Sequence, residues 1–229
     1  SVIRAIDSMT MTQRQEDRWQ YWLARASEQR GDKGSKKAAE EIYKRLAMSG
    51  EDYHNLLAKD RIGQRYNASA PQEQPSVSDQ TRLNQDIHFR RAFALRNIDA
   101  PAVYTTREWN WAVRQAYLKH DDGLLLAAAK RASDMGWYDR AIYAADRTEK
   151  KHNYTYRYAT PHQATVVSHS RNVGIDPAWA YGLMRQESRF VSAARSHVGA
   201  GGLMQIMPNT AKLVAKQMGE TYNPAALTD

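Results

Sequence analysis

The sequence predicts an all-α protein: a helical-hairpin superhelix, then a helical linker domain, then a third helical region rich in turns. Apolar residues recur at three- and four-residue intervals over residues 1–66 and again over 81–145. The breakers Gly31, Gly34, Pro101 and Gly136 punctuate those stretches between one helix and the next. Half of the glycines cluster toward the C-terminal end, where periodicity gives way to tight turns. The 229 residues, 42% hydrophobic and 25% charged, suffice to bury one sizeable core or two to three smaller helical ones.

In residues 1–66, Trp19, Trp22, Leu23 and Ala26 share one helical face, and Ala38, Ala39, Ile42, Tyr43, Leu46 and Ala47 share another. Two packed helices follow, joined by the turn GDKGSK with Ser35 as N-cap, and a third short helix is expected around Tyr53 to Ile62. Stacked helical hairpins need about three repeats to bury a continuous core. Fewer are visible, so this segment reads as the C-terminal part of a longer superhelix. Residues 67–80, NASAPQEQPSVSDQ, carry prolines and polar residues without an apolar period and read as a linker loop. The helical pattern returns in Leu83, Ile87 and Leu95, in Trp109, Val113, Ala116 and Tyr117, from Leu124 to Ala132, and from Trp137 to Ala145. These define a helical linker domain at 81–152. In the third domain, 153–229, the tyrosine-rich stretch HNYTYRYATPHQ leads into a helix ending near Asn172. Asp176 then serves as an N-cap, with Pro177 at the first helical position, for a helix reaching about Arg189.

The formal net charge is +8 and the isoelectric point near 9.6, a balance that attracts polyanions. The basic residues are spread along helices rather than clustered with stacking aromatics, which argues against nucleic acid as partner. The absence of cysteine excludes disulfides and thiolate metal sites. The histidines, His54, His88, His120, His152, His162, His169 and His197, show no metal-type spacing on one helix face. No apolar run approaches the roughly 20 residues that span a bilayer. The first residues, SVIRAIDSMTMTQRQEDRW, are too polar for a signal peptide, so any targeting segment is expected outside this chain.

The stretch from Tyr181 to Ala211, YGLMRQESRFVSAARSHVGAGGLMQIMPNTA, concentrates the chemistry. Gly199, Gly201 and Gly202 permit a loop that folds back over the end of the helix carrying Glu187. A carboxyl group there, roofed by methionine and glycine-rich backbone, is expected to be partly desolvated. Desolvation raises its pKa toward the range useful for protonating a leaving oxygen. The competing reading is an exposed helical glutamate paired with Arg185 or Arg189. Met204 and Met207 supply apolar contact and Gln205 a bifunctional amide, although methionines at such spacing also serve as ordinary core residues.

ESRF followed by SHVGAGGLMQIMPNTA resembles the paired signature of the soluble lytic murein transglycosylases, relatives of goose-type lysozyme. The likeness fixes many positions at once. More weakly, RWQYWLARA resembles that family's superhelix, TREWNWA its linker domain and GWYDRAI the helix before its catalytic domain. The resemblance implies that the third domain is a lysozyme-like catalytic domain. Its C-terminal part is absent from this chain, because the family continues into a Tyr-Asn-Ala-Gly motif that this sequence lacks. It also implies that Glu187 is the single catalytic acid/base and that Ser188 supports the helix end. Ser196 and Gln205 match polar residues touching the acid or the sugar, Met204 and Met207 match groove-lining positions, and Gly202 belongs to the substrate-side loop.

Glycosidases ordinarily use two carboxylates. Asp176 is no second acid, since it lies about three turns, roughly 16 Å, from Glu187 along the helix. The family's chemistry dispenses with one. Glu187 protonates the glycosidic oxygen between N-acetylmuramic acid and N-acetylglucosamine, then deprotonates the C6 hydroxyl of the muramic acid. That oxygen closes on the anomeric carbon to leave a 1,6-anhydro end, with no metal or organic cofactor. The implied partners are peptidoglycan glycan strands, with other cell-wall enzymes or inhibitors, in the periplasm. A membrane enters only through a lipid anchor outside this chain, which would make the protein outer-membrane associated. Two alternatives stay open: a non-catalytic helical scaffold or wall-binding module, and a goose-type muramidase that hydrolyses the same bond.

Overall fold

A computed structural model describes residues 1–50, 52–64 and 72–228. Among them the regular structure is helical, and extended pairing is limited to isolated antiparallel bridges from Gly201 to Arg195 and to Ile206. The chain divides into two compact units, Ser1–Ala70 and Pro71–Asp229.

The first unit contains α1 (Val2–Asp7), α2 (Met11–Gln15), α3 (Asp17–Glu28), α4 (Lys33–Ser49) and α5 (Tyr53–Arg61). Its core joins Tyr21 and Ala24 of α3 to Ala39, Tyr43 and Leu46 of α4 and Ala58 of α5. The inward face of α3 is therefore not the expected one through Trp19, Trp22, Leu23 and Ala26. Tyr21 takes the core position because its ring meets those of Tyr43 and His54, at centroid distances of 5.8 and 5.6 Å, and Trp22 stays 47% exposed. The cap of α4 is likewise Asp32 rather than Ser35. The Asp32 carboxylate accepts the Ser35 N–H at 2.9 Å, which puts Ser35 inside the first turn. Asn55, 1% exposed, sets its side-chain nitrogen beside the Asp17 carboxylate, the Leu46 carbonyl and the Ser49 hydroxyl, tying α3, α4 and α5 together.

The second unit runs through α6 (Val77–Gln85), α7 (Ile87–Asn97), α8 (Ala102–Leu118), α9 (Asp122–Asp134), α10 (Tyr138–Ala145), α11 (Tyr154–Arg157), α12 (Gln163–Asn172), α13 (Pro177–Glu187) and α14 (Pro208–Met218), closing on a 3₁₀ turn, Pro224–Leu227. Helix α6 starts inside the stretch expected to be linker, of which residues 67–71 lie outside the described residues. Ser76 and Asp79 exchange bonds in a capping box, and that local pairing nucleates helix from Val77 onward. Residues 72–75 are bound rather than free. Glu73 exchanges hydrogen bonds with His152 and Asn153, and the Tyr156 hydroxyl donates to Gln74 at 2.8 Å.

Trp109 is the centre of the main core, fully buried, with the rings of Phe89, Phe93 and Trp137 at 5.4, 5.6 and 5.0 Å. Helix α9 enters that core with Ala127, Ala128, Ala129 and Ala132, small side chains that admit close neighbours. Ile87 and Tyr117, expected on the apolar faces, are exposed instead. The Asp122 carboxylate accepts the backbone N–H groups of Glu149, Lys150 and Lys151 at 2.7–3.0 Å and fixes the chain leaving α10. A second cluster sets Ile142 of α10 against Ala159, Met184 and Phe190, with Tyr181 and Leu203 at its edge. Through that cluster Met184 ties α13 to Ile142 of α10.

Candidate active site

Asp176 accepts the Ala178 N–H at 2.8 Å and Pro177 occupies the first turn, so α13 starts at its expected cap. Its inward residues are Ala180 and Met184, and Glu187 is its last helical residue. Tyr181 directs its hydroxyl to the Pro161 carbonyl at 3.1 Å, and burial pushes that phenol above its ordinary pKa. Arg185 is committed to the linker helices. Its guanidinium reaches both Asp146 oxygens at 2.8 and 3.1 Å, and its Nε donates to the Arg157 carbonyl at 3.1 Å. Arg157, 8% exposed, bonds in turn to the Ala145 carbonyl at 3.0 Å.

The Glu187 side chain is exposed and has no hydrogen bond or ion pair with any described residue. The expectation of a roofed, desolvated carboxyl group is therefore not met in this chain, and neither is pairing with Arg185 or Arg189. In the loop that follows, Ala200, Gly201 and Gly202 are buried, and Leu203 packs against the cluster of Met184 and Phe190.

Ser188 joins the loop to the helix. Its hydroxyl oxygen is 2.9 Å from the Leu203 carbonyl and 3.2 Å from that of Met184, and it accepts the Phe190 N–H at 3.1 Å. The single hydroxyl proton goes to the nearer carbonyl. Arg189 and Phe190 then both adopt left-handed backbone, with φ of 50° and 66°. Bulky residues rarely do so, at a cost of about 1–3 kcal/mol each. Burial of the Phe190 ring holds the bend.

The glycine-rich stretch forms consecutive tight turns. Ser196 accepts the Ala200 N–H on its hydroxyl oxygen at 2.9 Å, which leaves the hydroxyl proton available. Gly201 exchanges backbone bonds of 3.1 and 3.0 Å with Ile206, and the Gly202 N–H donates to Ala194 at 2.9 Å. Gln205 sits at φ 48° and donates its amide to the carbonyls of Ala194 and Gly202 at 3.0 and 2.9 Å. Both partners are acceptors, so the amide nitrogen faces them and Oε1 points away. Gly202 is buried at φ 80°, and a Cβ there would run into the Leu227 carbonyl. Its lack of a side chain is what lets the Leu227 backbone approach so closely. Met204 and Met207 are 38% and 41% exposed and belong to no core cluster of the described residues.

The end of α13 and the loop after it thus offer one accessible carboxylate, one hydroxyl with a free proton, one amide oxygen and two accessible thioethers. Proton transfer to and from a bound oxygen is within their reach. Asp176 is used up as a cap. The group missed in the sequence is the Arg185, Asp146 and Arg157 assembly, whose bonded members Arg185 and Asp146 stand 39 residues apart. No local pattern marks it.

Residues 165–229 match the transglycosylase SLT domain family. The soluble lytic murein transglycosylase of Salmonella typhimurium is 26% identical over 208 residues, which make up 91% of this chain and 30% of that protein. Among solved structures, an inactive glutamate-to-glutamine mutant of lytic transglycosylase Slt from Pseudomonas aeruginosa aligns with a TM-score of 0.76 and 30% identity, over 96% of this chain and 34% of its own. The 70-kDa soluble lytic transglycosylase Slt70 of Escherichia coli aligns with a TM-score of 0.72 and 25% identity, over 98% of this chain and 35% of its own. The chain spans about a third of the length of the relatives it matches.

Proposed function

We infer from the transglycosylase SLT domain at residues 165–229, which makes this chain a homologue of the soluble lytic murein transglycosylases, that it acts on the glycan strands of peptidoglycan. The bond cleaved is the β-1,4 link between N-acetylmuramic acid and N-acetylglucosamine, and the product carries a 1,6-anhydromuramic end. Glu187 is the acid/base. The observation that carries this reading is an uncommitted carboxylate at the last turn of α13, beside a loop held to that turn by Ser188. The relative made inactive by a glutamate-to-glutamine change supports the assignment.

In this reading Glu187 donates its proton to the leaving oxygen as the bond to the anomeric carbon breaks, and the N-acetyl group of the muramic acid assists. The resulting carboxylate removes the C6 hydroxyl proton, and that oxygen closes the anhydro ring. Ser196 and the Gln205 oxygen hydrogen-bond the sugar, and Met204 and Met207 line its apolar face. A substrate seated over Glu187 would itself supply the desolvation that the free chain lacks. The reaction is placed in the periplasm, with outer-membrane association through an anchor outside this chain and with other wall enzymes or inhibitors as further partners. No helix of the described residues is long and apolar enough to cross a membrane.

The test incubates the chain, its Glu187→Gln variant and a buffer blank with purified peptidoglycan sacculi and determines the masses of released muropeptides. Anhydro ends made only by the unmodified chain are expected. Ordinary reducing ends would mean a goose-type hydrolase, and no release would leave a wall-binding scaffold as the reading for this chain.

A further inference from the structure

Helices α7 and α8 each bury one face in the main core, α7 through Phe89 and Ala92 and α8 through Trp109, Val113 and Ala116. Their other faces meet solvent. Val103, Arg107, Trp111, Arg114 and Leu118 recur at three- and four-residue steps along the outside of α8, and all are exposed. Ile87, Arg91 and Ile98 form a similar exposed row on α7, at steps of four and seven residues. His88 ties the rows together. Its Nδ1 lies 2.8 Å from the Glu108 carboxylate, and its ring meets that of Trp111 edge to face at 6.2 Å.

The charge on this face is one-sided. Arginines that are spread through the sequence are gathered by the packing of α7 on α8: the two helices carry Arg90, Arg91, Arg96, Arg107 and Arg114 against a single acidic residue, Glu108. Glu108 is already engaged by His88, with Arg91 at 3.9 Å, and Arg96 is matched by Asp99 at 3.2 Å. Arg90, Arg107 and Arg114 are exposed and have no hydrogen bond or ion pair with any described residue. The permanent cations here are all arginine, where α4 displays four lysines and one arginine. A guanidinium is weakly hydrated and pairs with a phosphate through two parallel N–H bonds, which an ammonium does not do.

The apolar residues between those arginines select the kind of partner. A soluble polyanion would engage Arg107 and Arg114 and leave Val103, Trp111 and Leu118 in water. The surface of a bilayer offers phosphates and the outermost acyl carbons within the same few ångströms of depth, so interleaved arginines and apolar side chains are met together. Tryptophan sits at that depth, with its ring in the apolar zone and its N–H toward the headgroups, and arginine reaches outward to phosphate. We propose that the outward face of α7 and α8 binds the surface of an anionic phospholipid bilayer, with the arginines on lipid phosphates and Trp111 at headgroup depth. This goes beyond the transglycosylase reading and does not depend on Glu187.

The test is sedimentation of the chain with vesicles of phosphatidylcholine alone or with about one-third phosphatidylglycerol, at about 0.1 M and 1 M salt, where screening lengths are about 10 and 3 Å. Binding is expected to the anionic vesicles, falling at the higher salt. Arg107→Gln combined with Arg114→Gln should weaken it about tenfold or more, at roughly fivefold per arginine. Arg90→Gln combined with Arg91→Gln is a second pair that keeps the test decisive if the first fails to fold. Trp111→Gln should weaken binding and leave its salt dependence unchanged, because the part it plays is apolar. Replacing Lys33, Lys36 and Lys37 of α4 by Gln removes more charge than either arginine pair and should weaken binding less. An equal loss would show that net charge alone attracts the chain and would overturn the proposal, as would equal binding to both kinds of vesicle. Amide NMR shifts at residues 87–118 with polyglutamate, from a chain that stays in the supernatant with anionic vesicles, would assign the face to an acidic protein instead.

Discussion

Gly202 lies where the chain turns with φ at 80° and where the Leu227 carbonyl leaves no room for a Cβ. An alanine there meets a backbone penalty of about 1–2 kcal/mol before the collision is counted. Gly202→Ala is therefore expected to displace the Pro224–Leu227 turn and lower thermal stability, as read by scanning calorimetry; an unchanged melting temperature would sink this account. Ser188 is the second position where one side chain decides the site. Ser188→Ala leaves the Leu203 carbonyl and the Phe190 N–H without that hydroxyl, a loss of about 1–3 kcal/mol for part-buried groups, and frees the loop from the helix end. The expected outcome is faster amide exchange at residues 199–206 together with lower sacculus-degrading activity. The glycine run was legible in the sequence as a set of turns. Which glycine is indispensable was not, because Gly201 and Gly202 are adjacent and only the folded loop, with Gly202 at φ 80° against the Leu227 carbonyl, distinguishes them.

At the scale of elements, α13 was the most readable helix, since Asp176 and Pro177 announce its start and Glu187 stands in its last turn. Asp176→Ala should cost about 0.5–2 kcal/mol, measurable by denaturant unfolding, with Glu187 still in place. What fixes the far end of α13 was not readable. Arg185 meets Asp146, at the end of α10, through a contact that no periodicity encodes. Arg185→Met should destabilise the chain and depress activity more than Asp176→Ala does. A double-mutant cycle with Asp146→Asn should return a coupling of about 0.5–3 kcal/mol. Additive effects would show the ion pair to be incidental. The face of α3 was misread for a related reason. Tryptophans dominate its apolar pattern, but Tyr21 has the ring partners, and packing on α4 and α5 decides which side turns inward.

Across the whole molecule, the two units hold distinct buried clusters, and their acid responses should differ. In the second unit Arg82 bridges α6 to the start of α9, bonding Asp79 at 2.6 Å and both oxygens of Asp121. The bond from Arg82, aided by the Leu124 N–H, holds the Asp121 carboxyl below its ordinary pKa against the opposing effect of burial. For Asp79 burial pushes upward but is outweighed by bonds from Arg82 and Ser76, and its pKa is also lowered. A carboxyl group depressed in the folded state contributes stability above its unfolded pKa of about 3.9 and loses that contribution as pH falls through the lower folded value. In the first unit, the depressed carboxyls of Asp32 and Glu40 are solvent-exposed, where screening leaves little effect on stability. Calorimetry from pH 7 to pH 2 should therefore show the second unit losing stability below about pH 4, with a smaller loss in Arg82→Met, whose Asp79 and Asp121 return toward ordinary values. Parallel pH curves for the two proteins would mean that Arg82 does not link α6 to α9 energetically, and the acid sensitivity would have to originate elsewhere in the unit.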